Sequence, residues 1–64
     1  MNKEDLKKYI DICKKKGYNK ETKPIFIKLI NYASLDFGSS LGRTTCGTCR
    51  KFTISYLEKK LKNL

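Results

Sequence analysis

The chain has 64 residues and a mass of 7.4 kDa, a length that allows one small domain. Its 15 basic residues exceed its 6 acidic residues, so the formal net charge is +9, and it contains no histidine. The length excludes the large enzyme folds, and the lack of histidine removes the usual proton carrier near neutral pH. We therefore expect a protein that acts by binding rather than by catalysis.

The sequence predicts a cytoplasmic protein without a membrane partner. No apolar run approaches the length of a membrane span, and Glu4 and Asp5 stand where a signal peptide would be apolar. An odd number of cysteines, two of them spaced as Cys-x-x-Cys, agrees with a reducing compartment. The bias towards Lys, Ile and Asn is typical of AT-rich genomes and agrees with a viral, phage-encoded origin.

The first predicted element is a helix over residues 3–16. Its apolar residues recur at the spacing of one helical face: Leu6, Tyr9, Ile10 and Cys13. Asn2 is the predicted N-cap, and Gly17 closes the helix after three lysines. The opposite face carries a predicted basic stripe: Lys7, Lys8, Lys14 and Lys15.

The second predicted helix begins at Pro24, with Thr22 as its N-cap, in the most apolar part of the chain. One face contains Phe26, Leu29, Ile30, Ala33 and Phe37. Further apolar residues widen this face, which indicates a central helix in contact with both neighbours. A strand over residues 25–29 is the alternative, because β-branched residues are dense there.

The second helix has two possible C-terminal ends, because either Gly38 or Gly42 could terminate it. If it covers residues 24–37 and stops at Gly38, a flexible loop follows. If it covers residues 24–41, a tight turn over residues 42–44 follows, and the outline resembles a helix-turn-helix.

The third predicted helix covers residues 45–63, with Thr44 or Thr45 as its N-cap. Its predicted apolar face contains Cys49, Phe52, Tyr56, Leu57, Leu61 and Leu64, with Ile54 at the edge. Three helices with short connections predict an all-α fold, a compact three-helix bundle that forms a single domain over residues 1–64.

The positive charge lies in the first and third helices, and a pI near 9.7 is typical of small nucleic-acid-binding domains. We therefore predict that the third helix and the lysine stripe of the first helix bind nucleic-acid phosphates. The candidate DNA-binding residues are Arg43, Thr45, Thr48, Arg50, Lys51, Lys7, Lys14 and Lys15.

A protein–protein interaction module is the alternative function. Lysine supplies charge without the bidentate contact that arginine makes to guanine, and Asp11 lies four residues before Lys15, which weakens the stripe. Such a module would dock on an acidic protein partner or form a homodimer. Tyrosines at the rim of the bundle would serve that interface: Tyr9, Tyr18 and Tyr32.

Cys46 and Cys49 form a Cys-Gly-Thr-Cys segment at the predicted start of the third helix, next to Arg50. They supply two zinc ligands, and a closed site would need Cys13 with a carboxylate, or a second chain. The basic surroundings also permit thiol–disulfide exchange. We favour a third interpretation, in which Cys49 is a small buried residue and Cys46 is incidental. No cofactor is then required.

Overall fold

Three α-helices make up the computed structural model, which describes residues 1–63. They are α1 (Lys3–Lys16), α2 (Lys23–Phe37) and α3 (Gly47–Lys62), and α2 contacts both of the others while α1 also contacts α3. The predicted all-α three-helix bundle is confirmed, and residues 25–29 belong to a helix as predicted and not to the alternative strand. Leu64, a predicted apolar-face residue, lies outside the described residues. Within residues 1–63, none of the helices has the length and apolar character needed to cross a membrane.

Local signals at both ends account for α1. The Asn2 side-chain oxygen accepts a hydrogen bond from the backbone N–H of Asp5 at 2.8 Å. Three lysines occupy the last turn, where the helix dipole favours cations. Gly17 then takes a φ of 71°, a left-handed value that suits glycine, and the helix ends. The helix covers the residues predicted from its periodicity.

Thr22 precedes α2 as predicted, but its side chain does not cap the helix. It is 0% exposed and serves the preceding connection instead. Its hydroxyl donates a hydrogen bond to the carbonyl of Gly17 at 2.7 Å and accepts one from the backbone N–H of Asn19 at 2.9 Å. The buried Thr22 hydroxyl thus gives two backbone groups of the α1–α2 connection a hydrogen-bond partner.

The shorter of the two predicted ends of α2 is correct. Gly38 adopts φ 93°, and its N–H donates to the carbonyl of Ser34 at 2.9 Å, which closes the helix. The Ser34 hydroxyl then accepts the backbone N–H of Leu41 at 3.0 Å, so Leu41 returns to the core from the loop. The alternative end at residue 41, with a tight turn over residues 42–44, is wrong, since residues 38–46 connect the two helices, and the helix-turn-helix resemblance is not confirmed.

The predicted start and apolar face of α3 both need correction. Neither Thr44 nor Thr45 is the N-cap; Cys46 holds that position, and α3 begins at Gly47. Phe52 is 50% exposed, whereas Thr53 and Leu57 are buried. The apolar residues of α3 lie on more than one of its faces, so periodicity alone does not choose which face turns inward.

The core lies where α2 meets the other two helices. Leu29 and Ala33 of α2 and Leu57 of α3 are completely buried. The remaining buried apolar residues are Leu6, Ile10, Cys13, Phe26 and Ile30. The sequence predicts Phe37 on this buried face, but as the last residue of α2 it is 50% exposed, with its ring edge-on to Tyr56 of α3.

Replacing Thr22 with Val is expected to lower the free energy of unfolding by about 2 kcal/mol, because the Gly17 carbonyl and the Asn19 N–H lose their buried partner. Thr22→Ser keeps the hydroxyl and removes one methyl group, so its cost should be about 1 kcal/mol or less. Urea denaturation of the two variants measures the difference. Equal losses would show that packing, and not hydrogen bonding, accounts for the burial of Thr22.

Candidate nucleic-acid interface

A stripe of exposed polar residues runs along α3 from its first turn to its last. It consists of Thr48, Lys51, Ser55, Lys59 and Lys62, and we call it the α3 stripe. Successive members are three or four residues apart, the spacing that places side chains on one side of a helix. The stripe contains three lysines and two hydroxyls and no carboxylate, so it is a continuous donor surface.

Two lysines of α1 lie beside the α3 stripe. A surface cavity of about 290 Å³ between the helices has a charged lining of Lys7, Asp11 and Lys14 from α1 and of Glu58 and Lys62 from α3. A neighbouring cavity of about 220 Å³ is lined by Ser55, Glu58, Lys59 and again Lys62. The α3 stripe, Lys7 and Lys14 therefore form one surface, which we call the basic face.

Carboxylates balance only part of this charge. Lys14 forms an ion pair with Glu58 at 3.0 Å, and both side chains are largely exposed. Lys15, another residue of the predicted stripe, pairs with Asp11 at 3.2 Å on the same helix. Exposed pairs of this kind contribute little to stability, so an incoming phosphate can compete for the lysines. Lys7 and the three lysines of the α3 stripe have no carboxylate partner within residues 1–63.

Arg50, a predicted phosphate contact, is held in place by its own chain. One guanidinium nitrogen donates a hydrogen bond to the carbonyl of Thr44 at 2.7 Å. The guanidinium carbon lies 3.9 Å from the centre of the Tyr18 ring and 5.8 Å from that of Phe26. Stacking on an aromatic face is favourable for a guanidinium. Arg50 thus connects the start of α3 to the α1–α2 connection.

A cleft of about 480 Å³ adjoins the basic face near the N-terminal end of α3. Its floor is apolar and includes Cys13, Tyr18, Phe26 and Ile54. Three cations border it: Lys14, Arg50 and Lys51. Because Lys14 and Lys51 also belong to the basic face, a ligand lying along that face reaches the mouth of this cleft.

The structure brings some of the predicted site residues together and leaves others apart. The basic face includes four of the predicted residues, Lys7, Lys14, Thr48 and Lys51. Arg50 lies beside this face near the N-terminal end of α3. Arg43 and Thr45 lie in the loop before α3 and Lys15 lies on α1, and these three line none of the cavities described above. The prediction missed Lys59 and Lys62, although the spacing from Thr48 to Lys62 carries the necessary signal.

The alternative zinc site is not assembled within one chain. Residues 1–63 contain no group of three or more His, Cys, Asp or Glu side chains placed to hold a metal ion. Cys13, the third cysteine, is buried in the core, and desolvation raises the pKa of its thiol to about 11. A thiol so hard to ionise is a poor metal ligand.

We compared the chain with protein-family models, with curated proteins and with solved structures, and none of them matches. Its function is therefore inferred from the chemistry of the basic face and of the cleft beside it.

Replacing Arg50 with Lys is expected to lower the free energy of unfolding by about 1 kcal/mol, because lysine keeps the charge but lacks the planar group that stacks on Tyr18. Lys51→Gln is the matched control, since Lys51 is exposed and its loss should change stability by less than about 0.5 kcal/mol. Urea denaturation measures both. Arg50→Lys with wild-type stability would show that the stack contributes nothing to the fold.

Proposed function

We propose that this protein binds nucleic acid by placing its basic face against the phosphates. The α3 stripe carries the proposal, because it combines exposed lysines and hydroxyls with no carboxylate among them. Lysine side chains and Ser or Thr hydroxyls are frequent partners of phosphate oxygens. Lys7 and Lys14 extend the same surface across α1, which widens it beyond a single helix.

The length of the α3 stripe suits a run of phosphates. Lys51 and Lys62 are separated by about 16 Å along the helix axis, at a rise of about 1.5 Å per residue. Each strand of a DNA duplex presents about five phosphates over that distance, at about 3.4 Å per phosphate along the axis. The lysines between and beside these two positions are therefore spaced to meet several phosphates of one strand.

Binding of this kind depends on charge rather than on base sequence. Lysine acts as a point charge, and the bidentate contact to guanine belongs to arginine. Arg50 is already engaged by Tyr18 and Thr44, so its guanidinium is poorly placed to read a base edge. We therefore infer affinity for the nucleic-acid backbone with little sequence preference.

A second candidate function, a homodimer or another protein contact, is favoured by exposed aromatic rings on α2 and α3. Phe37 and Phe52 are each 50% exposed, and the Phe37 ring packs edge-on against Tyr56 at 5.7 Å between ring centres. Phe52 and Tyr56 are one helical turn apart. We call Phe37, Phe52 and Tyr56 the aromatic patch. Exposed aromatic groups of this kind are typical of protein interfaces.

The nucleic-acid proposal predicts that reversing two charges of the α3 stripe, in Lys51→Glu/Lys59→Glu, weakens duplex binding by about tenfold or more at 50 mM salt. The slope of log affinity against log salt should also fall by about two, since two phosphate contacts are lost. Fluorescence anisotropy of a mixed-sequence DNA duplex, titrated between about 50 and 200 mM salt, measures both quantities.

The matched control for this titration is Lys8→Glu/Lys28→Glu, which changes the net charge equally. Both of these lysines are exposed, and neither lines a cavity along α1 and α3. The control should lose much less affinity and keep nearly the wild-type salt slope. Equal losses in the two double variants would show that the overall charge, and not the basic face, attracts DNA. No binding at 50 mM salt would reject the proposal altogether.

The second candidate predicts a concentration-dependent dimer that is lost when Phe52 is replaced with Ser. Removing an exposed aromatic ring from an interface should raise the dimer dissociation constant by about tenfold or more. Leu35→Ser is the control, because Leu35 is 85% exposed and lies outside the aromatic patch. Sedimentation equilibrium measures the association. A wild-type protein that stays monomeric at all concentrations would reject a homodimer built on this patch.

A further inference from the structure

The N-cap of α3 is a thiol. The Cys46 sulfur accepts a hydrogen bond from the backbone N–H of Cys49 at 3.3 Å, in the place where Ser, Thr, Asp or Asn usually cap a helix. Cys46 is half-buried rather than enclosed. Its sulfur therefore lies at the positive end of the α3 dipole and remains within reach of solvent. The sequence interpretation treats Cys46 as incidental, whereas its sulfur makes a specific contact at the start of α3.

The Cys49 thiol is covered by the loop that precedes α3. A Cβ atom added to Gly42 would lie only 2.2 Å from the Cys49 sulfur, so the loop backbone passes directly over this thiol. Gly42 also adopts φ 110°, which a side chain would disfavour. The close approach that glycine permits at position 42 therefore places the loop backbone against the Cys49 thiol.

The two cysteines are close enough to react with each other. The Cys46 sulfur is 3.3 Å from the backbone nitrogen of Cys49, and the Cys49 Cβ is only two bonds away from that nitrogen. A disulfide needs a backbone that holds the two Cβ atoms about 3.5–4.5 Å apart, and rotation about each Cα–Cβ bond then brings the sulfurs into contact. Both cysteines are free thiols here.

The surroundings of the two thiols shift their pKa values in opposite directions. A hydrogen bond from the Cys49 thiol, aided by backbone N–H groups and by the nearby Arg50 guanidinium, holds the pKa of Cys46 below its ordinary value. The same hydrogen bond, in which Cys49 is the donor, raises the pKa of Cys49. Cys46, whose sulfur caps the helix, is thus the more easily ionised of the two cysteines, which is the property of an attacking thiol.

We propose that Cys46 and Cys49 form a redox-active dithiol that exchanges with low-molecular-weight disulfides, with Cys46 as the attacking thiol and Cys49 as the resolving thiol. The proposal rests on the capping contact, on the cover that Gly42 allows over Cys49 and on the short reach between the side chains. It is independent of phosphate binding, since none of these contacts belongs to the basic face.

The exchange takes place in two steps. The Cys46 thiolate attacks one sulfur of a disulfide RSSR, which forms a mixed disulfide and releases RS⁻. Cys49 then loses its proton to the released thiolate and attacks the Cys46 sulfur, which forms the Cys46–Cys49 bond and expels a second RS⁻ that takes up the proton released by Cys46. The protein dithiol is oxidised by two electrons, and RSSR is reduced to two RSH.

The experiment treats the reduced full-length chain with oxidised glutathione at pH 7, quenches with acid and follows the products by mass spectrometry. The wild-type protein should lose two hydrogens and carry no glutathione. Cys49→Ser should accumulate one glutathione on Cys46, because no resolving thiol remains. Cys46→Ser should gain glutathione on Cys49 at least about tenfold more slowly, because the sheltered thiol is a weaker nucleophile.

The chain supplies its own controls. Serine is a good N-cap, so Cys46→Ser should keep the helical circular dichroism of the wild-type protein. Cys13 is buried in the core and should stay unmodified in every variant while the protein is folded. In guanidinium chloride the three thiols should react at similar rates, which would show that the selectivity comes from the fold.

Three results would overturn the proposal. One is equal rates of glutathione addition to the Cys46→Ser and Cys49→Ser variants in their folded states. Another is a wild-type product that keeps glutathione or forms a disulfide between chains instead of within one. The third is one zinc ion for every two chains in protein purified without chelator, absent from Cys46→Ser, since four shared thiolates would then hold a metal.

Discussion

The structure depends on the packing of α2 between α1 and α3. Each of the three helices contacts the other two, and α2 contributes the largest share of the buried apolar residues. Leu29 and Ala33 are completely buried by the contacts that result. Nearly all of the basic residues are consequently left on α1, on α3 and in the connections, where their charges remain in water.

The basic face is a consequence of that arrangement. Since α1 and α3 pack against each other as well as against α2, the outer side of α3 lies next to Lys7 and Lys14 of α1. Neither helix alone presents so broad a donor surface. Two carboxylates accompany these lysines: Asp11 pairs with Lys15, and Glu58 pairs with Lys14 and lines both cavities beside Lys62.

Three contacts hold the start of α3 in place. Arg50 joins it to the α1–α2 connection through Tyr18 and to the loop through Thr44, while Cys46 caps its first turn. The same few residues therefore set the direction of α3 and bring Cys46 and Cys49 together. The proposed dithiol and the proposed phosphate-binding surface thus meet at the start of α3 without sharing their reactive atoms.

The sequence by itself determined the number of helices, their order and the ends of α1, because periodicity and caps such as Asn2 and Gly17 act over a few neighbouring residues. It also located the basic charge on the outer helices. Only the tertiary structure decided that Thr53 rather than Phe52 faces the core and that Arg50 stacks on Tyr18. These outcomes depend on contacts between residues far apart in the chain, which local patterns cannot specify.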